Sequence, residues 1–374
     1  MKIPLVDLKA QYATIREEIR EAVDEVLEST AFVGGPAIAR FEQAFASFCG
    51  AGHGVATSSG TTALHLAYLA SGVGPGDEVI VPGHTFIATA EMVRLCGATL
   101  RFADIDEATY CLDPASVERL ITKKTRLVVA VHLYGHPADM EALERVAGPR
   151  GVPVLEDAAQ AHGAQYKGRP VGGLADLATF SFYPGKNLGA YGDAGIVTAR
   201  SEEKASLMRR LSDHGRQGRY VHTGRGYNYR MDTLQAAVLL VKLRRLESWN
   251  AARRRWASLY GEMLAGADGI RTPRPSRDVD PAWHLYVVRV PNRDAVVEEL
   301  HGAGIGVGVH YPVPLHLQPA YGDLGMREGD LPVTERVSKE VISLPIYPEL
   351  GEDGVSYVAE ALKKAVGRTS GVRT

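Results

Sequence analysis

The stretch "SFYPGKNLGAYGDAG", residues 181–195, surrounds one lysine with residues that bend a backbone. Lys186 follows an aromatic pair, Phe182 and Tyr183, and a proline, and Gly185 and Gly189 flank it. A solvated surface lysine needs no such setting, since any helix face would do. Glycine allows close backbone approach, and proline sets a turn. The amine is therefore positioned rather than tethered, at the end of a predicted strand, "ATFSFY".

Working outward, the chain alternates. The runs "DEVIVPGHTF" (77–86), "RLVVAVHLYG" (126–135) and "VPVLEDAA" (152–159) read as short buried strands bounded by Gly or Pro. Between and before them lie helix-like segments. Residues 11–29 carry Ile15, Ile19, Val23, Val26 and Leu27 at helical spacing, "FVGGPAIARFEQAFASF" (32–48) turns into a second helix, and a third opens at about Thr61. This alternation predicts an α/β fold with a mainly parallel, helix-covered sheet. Residues 232–249 read as one long helix with Asp232 as its cap, continued through "NAARRRWASLYGEML" (250–264). Beyond lie Pro-rich 271–284, strand-like 284–290, helix-like 293–304 and strand-like "IGVGVHYP" (305–312). The expected division is a large domain, 1–250, and a smaller α+β domain, 251–374.

Composition narrows the class. The 374 residues suit one large and one smaller domain, and 45% hydrophobic content is ample for a core. A net charge of −2 provides no general field for nucleic acid or an anionic membrane. Cys49, Cys96 and Cys111 are isolated, with no zinc-ligand spacing, so no metal site is expected. A sparse, odd cysteine count without a signal-peptide pattern leads us to expect a cytoplasmic enzyme.

In open α/β sheets ligands gather at the carboxyl ends of strands. Asp157, Gln160 and His162 follow one strand, Ser181 and Lys186 another, His84 and Phe86 a third, while "SSGT" (58–61) opens a helix. Each has a plainer reading: Asp157 as a helix cap, Ser59 to Thr61 as a turn, Phe86 as core, His162 as a structural histidine. Together they match the needs of pyridoxal 5'-phosphate. Its aldehyde needs a lysine, its ring nitrogen a carboxylate, its phosphate a helix start with hydroxyls, and its ring an aromatic face.

The ordered set "SSGTTAL", "PGHTFIAT", "EDAAQAHGA", "SFYPGKNLGAYGDAG", "GYNYRMDTLQAA" and "HYPVPLHLQPAY" resembles the DegT/DnrJ/EryC1/StrS sugar aminotransferases over nearly the whole chain. The resemblance implies the type I, aspartate aminotransferase-like fold. It makes Lys186 the Schiff-base lysine and Asp157 the partner of the ring nitrogen. Gln160 is placed near the phenolic oxygen, with Gly60, Thr61 and Ser181 on the phosphate and Phe86 on the ring. It further implies a homodimer in which Asn228 reaches the partner's phosphate. The expected substrates are glutamate and a nucleotide-linked keto sugar, with Tyr183, Arg230, His310, Tyr311, His316 and Gln318 as sugar-side candidates. For Arg230 an exposed salt bridge stays an open alternative. "HYPVPLHLQPAY" most resembles the branch acting on 3-keto sugars, a 6-deoxyhexose on dTDP or a uronate on UDP. Amination at C4, aminocyclitol formation and a non-catalytic regulatory relative are the alternatives.

Overall fold

The structure, a computed structural model, describes residues 1–369. Seven strands build its main sheet: β1 (His53–Thr57), β2 (Glu78–Pro82), β3 (Thr99–Ala103), β4 (Thr125–Val131), β5 (Val154–Asp157), β6 (Leu177–Ser181) and β7 (Gly195–Ala199). Their spatial order is β1-β7-β6-β5-β4-β2-β3. All neighbours are parallel except around β7, which runs antiparallel between β1 and β6. The parallel strands are buried on both faces, which is why they read as continuous apolar runs rather than alternating ones.

Helices cover both faces. On one, Leu64, Leu66 and Tyr68 of α3 (Gly60–Ala70) and Val93 of α4 (Ala88–Leu95) pack on Val79, Val81, Leu127, Val129 and Leu155. On the other, Phe41 and Phe45 of α2 (Pro36–Phe48) meet Phe180 and Phe182. All four of these rings are fully buried, each worth roughly 2–3 kcal/mol of transfer free energy.

A second core forms beyond the sheet. Trp256 and Tyr260, from the helix Leu246–Met263, pack with β8 (Tyr286–Arg289), β9 (Val341–Leu344) and the helices Arg293–Gly302 and Gly351–Thr369. Ile3 joins this core, so the start of the chain packs with its carboxyl-terminal part. The helix Leu246–Met263 runs through residue 250 unbroken, with Leu246 under the sheet and Trp256 in the second core.

Two expectations need correction. The single helix over 232–249 is two, Thr233–Leu243 and one that starts at Leu246, and Asp232 makes no side-chain cap bond. At the break Arg244 and Arg245 both reach Glu18 of the first helix, at 3.1 and 2.6 Å. No Gly or Pro marks that break, so periodicity passes over it. The run 305–312 is not a strand, for only Ile305 and Gly308 make isolated bridges, to Ile3 and Ser343.

Strand β7 fixes the register on both of its sides. Gly195 of β7 pairs with Thr57 of β1 on one side and with Ser181 of β6 on the other. The carboxyl ends of β1 and β6 are thus brought together, with the start of α3 above them. A methyl group at Gly195 would meet the Ser59 carbonyl oxygen at 2.3 Å. Gly195→Ala is expected to destabilise the fold by about 1–3 kcal/mol, read as a lower urea midpoint. An unchanged midpoint would mean that the turn at Ser59 is free to move.

Candidate active site

Four strand ends and the first turn of α3 open into one cavity of about 650 Å³. The turn is held by a reciprocal pair of bonds. Thr62 N donates to Ser59 Oγ at 3.1 Å and Ser59 N donates to Thr62 Oγ1 at 3.0 Å. The first amides of a helix have no partner within it, so the Gly60 and Thr61 end of α3 is suited to an anion. It lies against the end of β6, where a methyl group at Gly60 would meet Ser181 Cβ at 2.5 Å. Only glycine permits this approach.

The lysine turn is equally tight. Lys186 N donates to the Tyr183 carbonyl at 2.8 Å, and a methyl group at Gly189 would meet the Pro184 carbonyl oxygen at 2.3 Å. Beneath the turn, fully buried Lys242 donates from Nζ to the Gly189 carbonyl at 2.7 Å.

Strand alternation separates two neighbouring carboxylates. Glu156 points away from the cavity and is satisfied by Gly172, Leu174 and Ala175 N–H groups, with His132 Nε2 at 3.1 Å. Asp157 lines the cavity with Lys186. Thr89 Oγ1 donates to Asp157 Oδ2 at 2.8 Å and Ala159 N to Oδ1 at 3.2 Å. Burial pushes the Asp157 carboxyl up, while Thr89, Ala159 and the Lys186 cation pull it back. Burial pulls the Lys186 amine down to about 8, against the upward pull of Asp157.

Other expected residues share this cavity. Phe86 is 53% exposed, an apolar ring left uncovered in the wall, 6.0 Å from Tyr311. Tyr134 N donates to Gln160 Oε1 at 2.6 Å, which turns Gln160 Nε2 toward Tyr311 Oη at 3.2 Å. Tyr183 and His310 complete this side. His310 Nδ1 lies 2.8 Å from Ser343 Oγ, and burial followed by Lys186 lowers the ring to about 4.

Six expected residues lie outside the cavity of their own chain. His316 is buried, with Nε2 2.9 Å from Glu335 Oε1, and Gln318 follows it at the end of a short 3-10 turn. Arg230 donates to Asp213 at 2.8 Å, the ion pair named as its alternative. Asn228 is exposed and bridges to Asp213. His84 bonds Ser338 and Tyr134, and His162 is caged by Phe45, Phe180 and Phe182; both are structural.

Three ionisable cavity residues escaped the sequence reading, Asp193, Arg253 and His284, as did Thr89, the donor to Asp157. Arg253 belongs to an Arg-Arg-Arg run that resembles a solvated face, yet Arg253 is buried. Its spacing from Trp249, Trp256 and Tyr260 places it on the apolar stripe, and that signal was available.

Lowering Lys186 from 10.5 to about 8 means that the buried cation costs the fold about 3 kcal/mol. That cost is full below the folded value and fades as pH rises toward the unfolded one. Competitive acylation of the ligand-free protein, read by mass spectrometry at Lys186, is expected to titrate near 8. In Asp157→Asn the midpoint should fall further, because the anion that supports the cation is gone. A midpoint that rises or stays fixed contradicts this account.

The chain is similar to known proteins over nearly its whole length. The chain is 45% identical to a "dTDP-3-amino-3,4,6-trideoxy-alpha-D-glucose transaminase" of Streptomyces venezuelae, over 97% of this chain and 96% of that protein. It is 44% identical to a "pleiotropic regulatory protein" of Geobacillus stearothermophilus, over 97% and 98%. Among solved structures, that of DesV from S. venezuelae superposes with a TM-score of 0.95 at 45% identity, covering 97% of this chain and 98% of that one. Residues 13–363 match one family along their length, and the chain belongs to the DegT/DnrJ/EryC1/StrS aminotransferase family.

Proposed function

We propose that this transaminase moves the amino group of glutamate to a nucleotide-linked keto sugar, a 3-keto hexose. One observation carries the reading: an amine, Lys186, and a carboxylate, Asp157, share a cavity that also holds a helix start. The 3-keto assignment is supported by the name of the Streptomyces relative; Tyr183, His310 and Tyr311 line the wall beside Phe86, where the sugar would lie.

The residues fit pyridoxal 5'-phosphate, the cofactor of this enzyme. The glycine at position 60 leaves a cradle that a methyl group would fill, and the α3 amides with Thr61 and Ser181 would hold a phosphate there. When bound, the cofactor supplies an aldehyde that condenses with amines and a ring that takes up the electrons of a cleaved C–H bond. Asp157 would hold the positive ring N–H, and Phe86 would cover the ring face. Lys186 would anchor the aldehyde, and its amine, brought down to about 8 by burial, would take a proton from one carbon and return it to another. Tyr311, fixed through Gln160, and His310, fixed through Ser343, orient the sugar.

We further infer a homodimer with shared sites, and a division into domains 1–250 and 251–374. Support for the dimer lies in the ribbon ahead of Asn228, where Tyr220 and Val221 are 79% and 61% exposed. Arg230 and Asn228 sit at its base, outside their own cavity, where a partner's site would use them. A non-catalytic regulatory role, suggested by the name of the Geobacillus relative, is the second reading; turnover decides between the two.

Lys186→Ala should fold and lose transamination entirely, while Asp157→Asn should lose orders of magnitude in rate, with glutamate and a panel of keto sugar nucleotides as substrates. Wild-type rates in either variant would overturn that residue's role. Inactive Lys186→Ala chains mixed with chains blocked at Asn228 by a bulky substitution should regain activity after subunit exchange. One of the two sites then carries both lesions and the other carries neither. Verified mixed dimers that stay inactive would refute the shared site.

A further inference from the structure

Beside Lys186 runs a chain of hydrogen bonds whose proton positions are dictated by backbone carbonyls, which can only accept. Asn250 Nδ2 donates to the His162 carbonyl at 2.8 Å. Asn250 Oδ1 is left to accept from Asn187 Nδ2 at 3.0 Å, and the same Nδ2 donates to the Ala282 carbonyl at 2.7 Å. Reversing either amide would set two acceptors face to face. Both asparagines are buried, at 2% and 0% exposure, so water cannot relieve that clash. Asn187 Oδ1 must therefore accept from His284 Nδ1, at 3.2 Å. A neutral imidazole carries one N–H. His284 Nε2 is a bare lone pair.

This lone pair belongs to a residue in the wall of the Lys186 cavity, and its ring is tied to Asn187, the next residue after the lysine. Burial keeps the ring neutral, aided by the cations Lys186 on its turn and Arg253 on the helix Leu246–Met263. The His162 and His310 rings, after β5 and on the 305–311 segment, also face it and are themselves lowered by burial. Asp157 is the acid facing Lys186, and its oxygens are already engaged by Thr89 and Ala159.

We propose that His284 Nε2 is the hydrogen-bond acceptor that positions the Lys186 ammonium whenever that amine carries a proton. Lys186 Nζ–H donates, His284 Nε2 accepts, and the proton stays on the lysine. His284 is thus a positioning residue. It keeps the amine from turning away between the two carbons it serves, and it supplies an acceptor without adding a second anion beside Asp157. The inference rests on the reading of Lys186 as the proton-carrying amine.

Two measurements on the ligand-free protein test it. Nitrogen-15 NMR of histidine-labelled protein at neutral pH should find His284 with Nδ1 protonated and Nε2 not. A ring protonated at Nε2, or at both nitrogens, overturns the proposal. The second measurement is the acylation titration of Lys186. His284→Asn keeps a donor toward Asn187 and removes the acceptor, so the Lys186 midpoint should fall by about half to one unit, the worth of an ordinary hydrogen bond. His284→Gln, whose oxygen can take the place of Nε2, should recover most of that shift. An unshifted midpoint in His284→Asn, or equal shifts in both variants, overturns the positioning role. The NMR result needs no variant and stands even where a substitution weakens folding. An active Lys186→Ala enzyme would instead overturn the reading of the lysine, whatever His284 does.

Discussion

A lysine amine held in a cavity opposite a buried carboxylate is the constraint on which this structure depends. Neither group would choose that place alone. Burial pulls Lys186 down and pushes Asp157 up, and each partly restores the other. The fold tolerates the pair because the sheet below is extensively buried and the surroundings are rigid. Gly60, Gly189 and Gly195 each stand where a methyl group would collide with a neighbour. These glycines let three chain segments converge on a volume small enough for two charges to act on one ligand.

The adjoining carboxylates Glu156 and Asp157 show how strand geometry divides labour. Adjacent residues of β5 face opposite sides, so one acid is consumed by structure and the other is left facing the cavity. Three backbone N–H groups from residues 172–175 converge on Glu156, which fastens the loop between β5 and β6. That loop leads into the strand that ends at Ser181. An acid with no catalytic part thus helps to set the distance between Asp157 and the lysine turn.

Much of this was legible in the sequence, because close approach and burial leave local traces. The Gly-Lys-Gly spacing around Lys186, the apolar strand ahead of Asp157 and the Ser-Gly-Thr helix start each record a backbone requirement. Lost from view were features set by contact alone. The break at Arg244 and Arg245 follows from Glu18 on a distant helix. The 305–312 segment alternates like a strand but finds only single bridges. His316 is a sugar-side candidate in the sequence, yet its partner is Glu335 on the helix Pro332–Glu340. His284 sits at the mouth of an apolar strand, where nothing local distinguishes it. Its meaning comes from two asparagines, 187 and 250, that are remote in sequence.

The helix Leu246–Met263 has a consequence for how the molecule would loosen. Its first turn is wedged under the sheet, its later turns lie inside the second core, and Arg253 between them donates to the carbonyls of Trp283 and Ile346. One rigid rod thus spans both bodies and passes the cavity midway. Softening of the second core would tilt that rod and distort the cavity wall while the sheet remained whole. Where the second core yields first, activity would be lost while the sheet still holds its fold.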